Sequence, residues 1–289
     1  MAAEIKKKRK QSMLLQIIKR ILKNPVSCIG LIIMLLLVLA AIFAPVIAPY
    51  SYTEMDYDAI YALPSLKHLF GCDKLGRDMF SRCLYGARYS LSLGFIAAMV
   101  GFVLGQIFGI MIGYAGGKVD NICMRLCDIL QAIPGNLLAI LISTTLGSGF
   151  GNTILAMTIG GIAGSVRSTR AMCLKEREME YLQAAKSINC SRATIMYKHM
   201  LPNIVQPAIV GTTMSIGSTI MGAAGLSFIG LGIQPPTPEW GAMLSNARAD
   251  ILNYPHLMFF PGLCIAVTVL AINLFGDGLR DAIDPKLKD

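Results

Sequence analysis

Residues 180–203 read EYLQAAKSINCSRATIMYKHMLPN, a polar and basic stretch between two long apolar runs. A plain connector between two membrane helices needs few residues, whereas this one carries helix starts and stops of its own. Glu176, Glu178 and Glu180 open a helix where its dipole favours negative charge, and the helix runs through Tyr181, Leu182, Ala184 and Ala185. The two alanines leave a small, flat patch for a partner surface. Asn189 falls where the helix stops, since Asn is second only to Gly in the left-handed closing position. Ser191 caps a second helix to about Met200, and Leu201-Pro202 ends it. Helix, hinge and helix make a rigid elbow, suited to docking; the plainer alternative is an interfacial hairpin with no partner.

Outward from this stretch the chain is apolar. Hydrophobic residues make up 54% and charged residues 15%, with mean hydropathy +0.59, where a soluble domain carries about a quarter charged residues. Runs long enough to span a bilayer lie at Val26–Ala48, Ser90–Tyr114, Ile129–Leu146, Phe150–Val166, Ile204–Ile233 and Leu257–Phe275. The fourth is short and rich in Gly and Thr, and Pro207 interrupts the fifth. The first is too long for the apolar core of a cleavable signal and is expected to be retained.

The expectation is an all-α polytopic membrane protein with about six transmembrane helices. Its parts are a basic N-terminus (1–25), a first helix with an external segment (26–89), a five-helix core (90–276) holding loop 167–203, and a tail (277–289). With both termini cytoplasmic, 20 of the 26 Lys and Arg fall inside, as the positive-inside rule requires. The Lys6, Lys7, Lys8, Arg9 and Lys10 cluster beside the first span reads as an anchor to anionic lipid rather than a nucleic-acid contact.

Several chemistries are missing. None of the six runs contains Asp, Glu, Lys, Arg or His, the groups that ion-coupled transporters keep as relays. Gly113–Lys118 has a phosphate-loop look, but Ile112 stands where the first Gly belongs and Val119 replaces the magnesium-binding hydroxyl. It reads as a membrane-boundary turn. His68, His199 and His256 are far apart, and the eight cysteines form no CxxC pair. Cys123 and Cys127 beside Asp128 read as thiols of a packing face before a metal site. Cys72 and Cys83, both external, are available for a disulfide in an oxidising compartment. Gly101, Gly105, Gly109 and Gly113 place four glycines on one stripe, and Gly160 and Gly164 make a similar pair. Such stripes let helices approach closely within the chain or at a subunit contact.

On the outer side Pro235, Pro236 and Pro238 stiffen a loop that ends at Glu239 and Trp240, and Trp suits a membrane interface. That loop is read either as a gate or docking point, or as a rigid cap. Arg77, Asp78, Arg82 and Arg88 read as an ion-pair lattice before a substrate site.

The 180–203 stretch resembles the cytoplasmic loop of ABC-importer permeases. Their pattern is Glu-Ala-Ala, three residues, Gly, nine residues, Ile, one residue, Leu-Pro. Here it stands as Gln183-Ala184-Ala185, Asn189, His199 and Leu201-Pro202. Gln, Asn and His replace Glu, Gly and Ile; a His-x-Leu-Pro-Asn ending is familiar in the peptide and nickel branch. The resemblance runs from Asn24-Pro25 through His68–Asp73, Leu75–Asp78, Tyr85–Arg88, Leu226–Gly232, Gln234–Gly241 and Gly276–Asp281 to Asp284-Pro285, in the order of dipeptide, oligopeptide and nickel permease C subunits.

That resemblance implies a type I ABC importer transmembrane domain in a bacterial or archaeal cell membrane. Its implied partners are a homologous permease in a heterodimer, two cytoplasmic ATPases, an external solute-binding protein and membrane lipid, with no nucleic acid. No cofactor or metal is expected on this chain, which is not expected to be an enzyme; ATP and Mg belong to the ATPases. Glu180, Tyr181, Gln183, Ala184, Ala185, Lys186, Asn189, His199, Leu201 and Pro202 are the implied coupling residues. Arg77, Asp78, Arg88, Pro235, Pro236, Glu239 and Trp240 are the external gating candidates. Di- and oligopeptides are the first expected cargo, with nickel or metal chelates and glutathione as alternatives. A self-contained secondary transporter or channel is the rival from another class, and an intramembrane hydrolase lacks a paired nucleophile or metal cluster.

Overall fold

The computed structural model describes residues 13–283, all in helices, turns and one long irregular segment. The Lys6–Lys10 cluster and Asp284-Pro285 lie outside the described residues. Helix α1 (Met13–Lys23) leads into α2 (Pro25–Ile42). Asn24 Oδ1 accepts from the N–H of Val26 at 3.1 Å, and Pro25 occupies the first turn, where its missing N–H costs nothing. Arg20 Nη1 donates to the carbonyl of Ala282 at 3.2 Å, so both ends of the described chain meet on one face.

After the short α3 (Ala44–Ile47) comes the irregular outer segment, and then α4 (Met79–Ala115), 37 residues long. At 1.5 Å per residue α4 is about 56 Å long, well beyond a bilayer core of about 30 Å. Gly116 and Gly117, with φ of 64° and 56°, turn the chain into α5 (Gly117–Ala132). The phosphate-loop look-alike is therefore a helix-end turn.

The expected span Ile129–Leu146 is not one helix. α5 ends at Ala132, α6 (Gly135–Leu146) begins after Pro134, and the two meet at 83°. Pro134 has no N–H to continue the ladder and pushes Ile133 to an extended conformation, ψ 125°. α7 (Phe150–Arg177) is 28 residues long. Among the described residues, four helices are by length and composition apolar enough to cross a membrane, five if the bent pair counts as one span. α7 is less apolar, yet its ends reach opposite faces: Gly149 N–H donates to Gly232 O at 3.1 Å, and Arg177 Nη1 to Tyr114 O at 3.5 Å.

α8 (Glu180–Ser187) forms the first arm of the elbow. α9 (Arg192–Thr194), a π-helical turn (Ile195–Met200) and α10 (Leu201–Phe228) then run as one 37-residue rod. Leu201-Pro202 does not end the second arm, contrary to the sequence expectation. The Leu201 N–H reaches back five residues to Met196 O, and this wider turn gives the Pro202 ring room that an α-turn lacks. α11 (Trp240–Ala247) caps the outer end, and α12 (His256–Ile283) returns to the first face.

α4 and α7 pack along the glycine stripe. A Cβ at Gly105 would overlap Ser165, one at Gly109 would lie 2.5 Å from Thr169 Cβ, and one at Gly113 2.9 Å from Cys173 Cβ. Three of the four glycines thus serve packing within the chain. Gly101 has nothing within 4 Å of that position. Gly160 meets the backbone of Gly135 in the same way, joining α7 to α6. Cys127 is buried beside Ile112, Ala163 and Val166 with Cys123 against it, while Asp128 is paired with Arg167.

Candidate functional site

The elbow is built by local rules and then locked by packing. α7 stays helical to Arg177, whose guanidinium also donates to Gly113 O at 3.4 Å. Glu176 therefore belongs to the last turn of α7 and Glu178 caps it, leaving only Glu180 to open α8. Asn189 closes α8 with φ 58°. Cys190 N–H donates to Ala185 O at 3.1 Å and Asn189 N–H to Lys186 O at 3.0 Å, the paired bonds of a Schellman closure. Ser191 Oγ then accepts from Thr194 N–H at 3.2 Å.

Leu182, Ala185, Ile195, Met200 and Ile204 form the elbow core with Ile110 of α4 and Cys173 of α7. Ala185 is 6% exposed, which corrects the expected two-alanine patch: at helical spacing from Leu182 it faces inward. Glu180, Gln183, Ala184 and Lys186 are exposed on the outer side, and Asn189 stands exposed at the turn. His199 and Leu201 are half-buried and Pro202 is exposed. Ile188, 76% exposed, is an apolar residue of this face that the motif comparison passed over; its signal is its place just before the Asn189 turn. Tyr181 Oη donates to a Glu176 carboxylate oxygen and accepts from Asn203 Nδ2 at 2.8 Å. Burial, helped by Glu176, pushes its hydroxyl up to about 12. One side chain so latches α7, α8 and α10 together.

The outer candidates divide. Arg77, Asp78 and Arg82 are buried. Asp73 holds Arg77 at 2.7 Å and Arg82 at 3.7 Å, and Asp78 holds His68 at 3.0 Å while accepting from Ser81 N–H at 2.7 Å. Arg88 is exposed, outside this lattice. Glu239 and Trp240 are each 1% exposed and reach neither solvent nor lipid. Glu239 accepts from Ser90 Oγ at 3.0 Å and Ala242 N–H at 2.9 Å, and Trp240 Nε1 donates to Cys83 O at 3.0 Å. These two anchor α11 to α4 as a rigid cap would, and Trp240 is buried in the fold rather than placed at a membrane interface. Pro235 and Pro236 remain exposed, joined by a cis bond.

Cys72 and Cys83 are both free thiols. Cys83 packs with Trp240 and Met243, while Cys72 sits with His68 and Asp78, donor atoms within 4.8 Å of one another. That trio is the one metal-like group among the described residues. Asp78 is engaged by His68 and the helix cap, and burial pushes the Cys72 thiol up to about 12, so without a metal the thiol is neutral.

Between α4, α7 and α10 lies a half-open cavity of about 460 Å³, lined by hydroxyls, glycines and Gln106 together with Phe102, Met157, Met172, Pro207 and three alanines, and by no charged side chain. Sequence reasoning missed it. The available signals were Gln106, alone in an apolar run, and the spacing of Thr212, Ser215 and Thr219.

Comparison with known proteins agrees with this architecture. A family model described as "Binding-protein-dependent transport system inner membrane component" matches residues 105–289, and one for the N-terminal transmembrane domain of oligopeptide transport permease C matches 12–64. Glutathione transport system permease proteins GsiD of Escherichia coli O1:K1 and of Shigella boydii serotype 4 are each 47% identical over 271 residues, 93% of this chain and 89% of theirs. A solved amino acid ABC transporter, with histidines, has the same fold at a TM-score of 0.53 and 15% identity, over 68% of this chain and 92% of that one. The chain therefore belongs to the family of binding-protein-dependent transport system inner membrane components, in its oligopeptide permease C branch, and is a multi-pass permease of the cell membrane.

Proposed function

We propose that this chain is the pore subunit of an ATP-driven importer of short peptides, glutathione among them. The family carries ATPase and binding-protein partners in general. The finer assembly is a heterodimer with a homologous permease in lipid, two ATPases holding ATP and Mg, and an external solute-binding protein. No bond chemistry is assigned to this chain. The peptide class rests on the permease C match and on relatives named for glutathione, itself a tripeptide.

One observation carries the mechanism: α8 presents an exposed outer face while its inner face is fixed to α4, α7 and the π-turn. Closure of the ATPases would push on Glu180, Tyr181, Gln183, Ala184, Lys186 and Ile188. The Tyr181 latch and the elbow core pass that push to α7 and to the single rod ending at Phe228. Of the outer candidates, Arg88, Pro235 and Pro236 are left exposed to meet the binding protein.

Ala184→Arg tests this. It is expected to abolish peptide uptake and ATPase co-purification while the protein still inserts, because Ala184 points outward. Ala185→Arg is expected to lose folded protein as well, since it forces a charge into the elbow core. Retention of ATPase by the Ala184→Arg protein would sink the docking role. Tyr181→Phe keeps the ring but loses the latch; uptake per ATP hydrolysed is expected to fall several-fold at unchanged protein yield.

A further inference from the structure

The irregular outer segment closes on itself just before α4. Cys72 and Asp78 face each other across an antiparallel bridge, with Asp73 N–H donating to Arg77 O at 3.0 Å and Met79 N–H to Gly71 O at 2.9 Å. Gly71 and Gly76, with φ of 75° and 72°, take the left-handed positions of this tight loop. Residues opposite each other in an antiparallel pair put their side chains on one side, so the backbone itself brings Cys72 and Asp78 together. His68, four residues before Cys72, joins them.

All three side chains are buried, and a ring nitrogen of His68, Cys72 Sγ and an Asp78 carboxylate oxygen lie within 4.8 Å of one another. His68 Nδ1 is 3.0 Å from Asp78 Oδ1, while Asp78 Oδ2 is fixed by Ser81 N–H at 2.7 Å. Donors around one tetrahedral zinc ion, bonded at about 2.0–2.3 Å, stand about 3.3–3.6 Å apart. Small side-chain rotations bring these three atoms to that spacing.

The far side of the ring adds an independent sign. His68 Nε2 is buried without a hydrogen-bond partner, and Asp56 Oδ2, which Lys67 Nζ holds at 2.7 Å, lies 3.9 Å from it. With a cation on Nδ1 the ring proton sits on Nε2 and closes on that carboxylate, the second partner that metal-bound histidines have as a rule. Charge agrees as well. Once the thiol proton has left to solvent, a thiolate, a carboxylate and a dication sum to zero, so the buried site gains no net charge.

We propose that His68 Nδ1, Cys72 Sγ and Asp78 Oδ1 bind a zinc ion that staples the outer segment to the start of α4. This departs from the sequence expectation of no metal on this chain, because spacing alone does not reveal the bridge that pairs Cys72 with Asp78. Mixed nitrogen, sulfur and oxygen donors select zinc over magnesium and calcium, which take oxygen. The fourth position goes to water from an adjoining cavity of about 480 Å³, lined by His68 and Asp78 and by Glu54, Asp56 and Asp58. Those carboxylates also draw the cation in.

The test uses the whole transporter, both permeases and both ATPases, purified in lipid nanodiscs by a tag without histidine. Elemental analysis is expected to find about one zinc ion more per complex in the wild type than in Cys72→Ser. After chelation and refilling with Co2+, the wild type is expected to show a thiolate-to-cobalt charge-transfer band that Cys72→Ser loses and Cys83→Ser keeps. Refilling with Zn2+ is expected to slow protease cleavage between residues 50 and 78 several-fold in the wild type and not in Cys72→Ser. Equal zinc content in wild type and Cys72→Ser, or a cobalt band that Cys72→Ser retains, would overturn the site; equal content would leave His68 as an imidazolium between two aspartates. Should Cys72→Ser lose its monodisperse form, the chelated wild type decides alone: no thiolate band on adding Co2+ overturns the proposal.

Discussion

Asp73→Ala is expected to unravel the outer segment between α3 and α4 and to destabilise the folded permease by about 3–5 kcal/mol, the usual cost of leaving a buried charge unpaired. Asp73 Oδ1 accepts from the N–H groups of Leu75 at 2.9 Å and Arg77 at 3.0 Å, and Oδ2 from Arg77 Nε at 2.8 Å. Arg77 and Arg82, 5% and 2% exposed, would both lose their carboxylate. Arg82 would keep its bond from Nη1 to Tyr52 O at 2.8 Å, which carries no charge to offset it. Protease cleavage between residues 50 and 78 and the thermal midpoint of the purified complex report the loss. Asp58→Ala, at an exposed position, is the control and is expected to change stability by less than about 0.5 kcal/mol. An Asp73→Ala protein as stable and as protease-resistant as the parent would mean that the lattice holds nothing together.

Gly109→Leu and Gly101→Leu are expected to fail in opposite ways although they share one stripe of one helix. At Gly109 the first side-chain atom already meets Val166 O at 2.8 Å and Thr169 Cβ at 2.5 Å. Backbone cannot yield as a flexible side chain can, so the cost exceeds the usual 1–3 kcal/mol of overpacking, by roughly as much again. Monodisperse protein on size-exclusion chromatography is expected to vanish. Gly101 borders the cavity with open space around it. Leu there is expected to leave the protein folded and monodisperse while blocking most peptide uptake. A folded Gly109→Leu protein, or full uptake by Gly101→Leu, would contradict the α4–α7 seam or the role of the cavity respectively.

The same stripe shows where sequence reasoning reaches its limit. A four-residue period states that the glycines share a face, but not what lies opposite each. Ser165, Thr169 and Cys173 oppose three of them, while the fourth borders the cavity, although α4 and α7 touch again one turn further on, where Thr158 Oγ1 donates to Ala97 O at 3.4 Å. Ala184 and Ala185 pose the same problem on a smaller scale. Both are small and adjacent, and only the packing of Leu182 against Ile195 and Met200 decides which one turns inward. By composition Trp240 suits a membrane interface, but its indole bond to α4 buries it, and Glu239 beside it is buried as the cap of α11.

What the sequence determined by itself follows from local physics. Apolar runs without charge name a membrane protein, basic residues orient it, and Asn189 and Ser191 punctuate the elbow through bonds made within a few residues of themselves. The ordered motifs name the family. Tertiary structure alone decided the break at Pro134, the continuous rod through Pro202, the buried outer lattice and the cavity. Each of these depends on which groups from distant segments satisfy or crowd one another. A proline can end a helix, bend a pair by 83° or pass through a π-turn, and its neighbours in space, not in sequence, choose among the three.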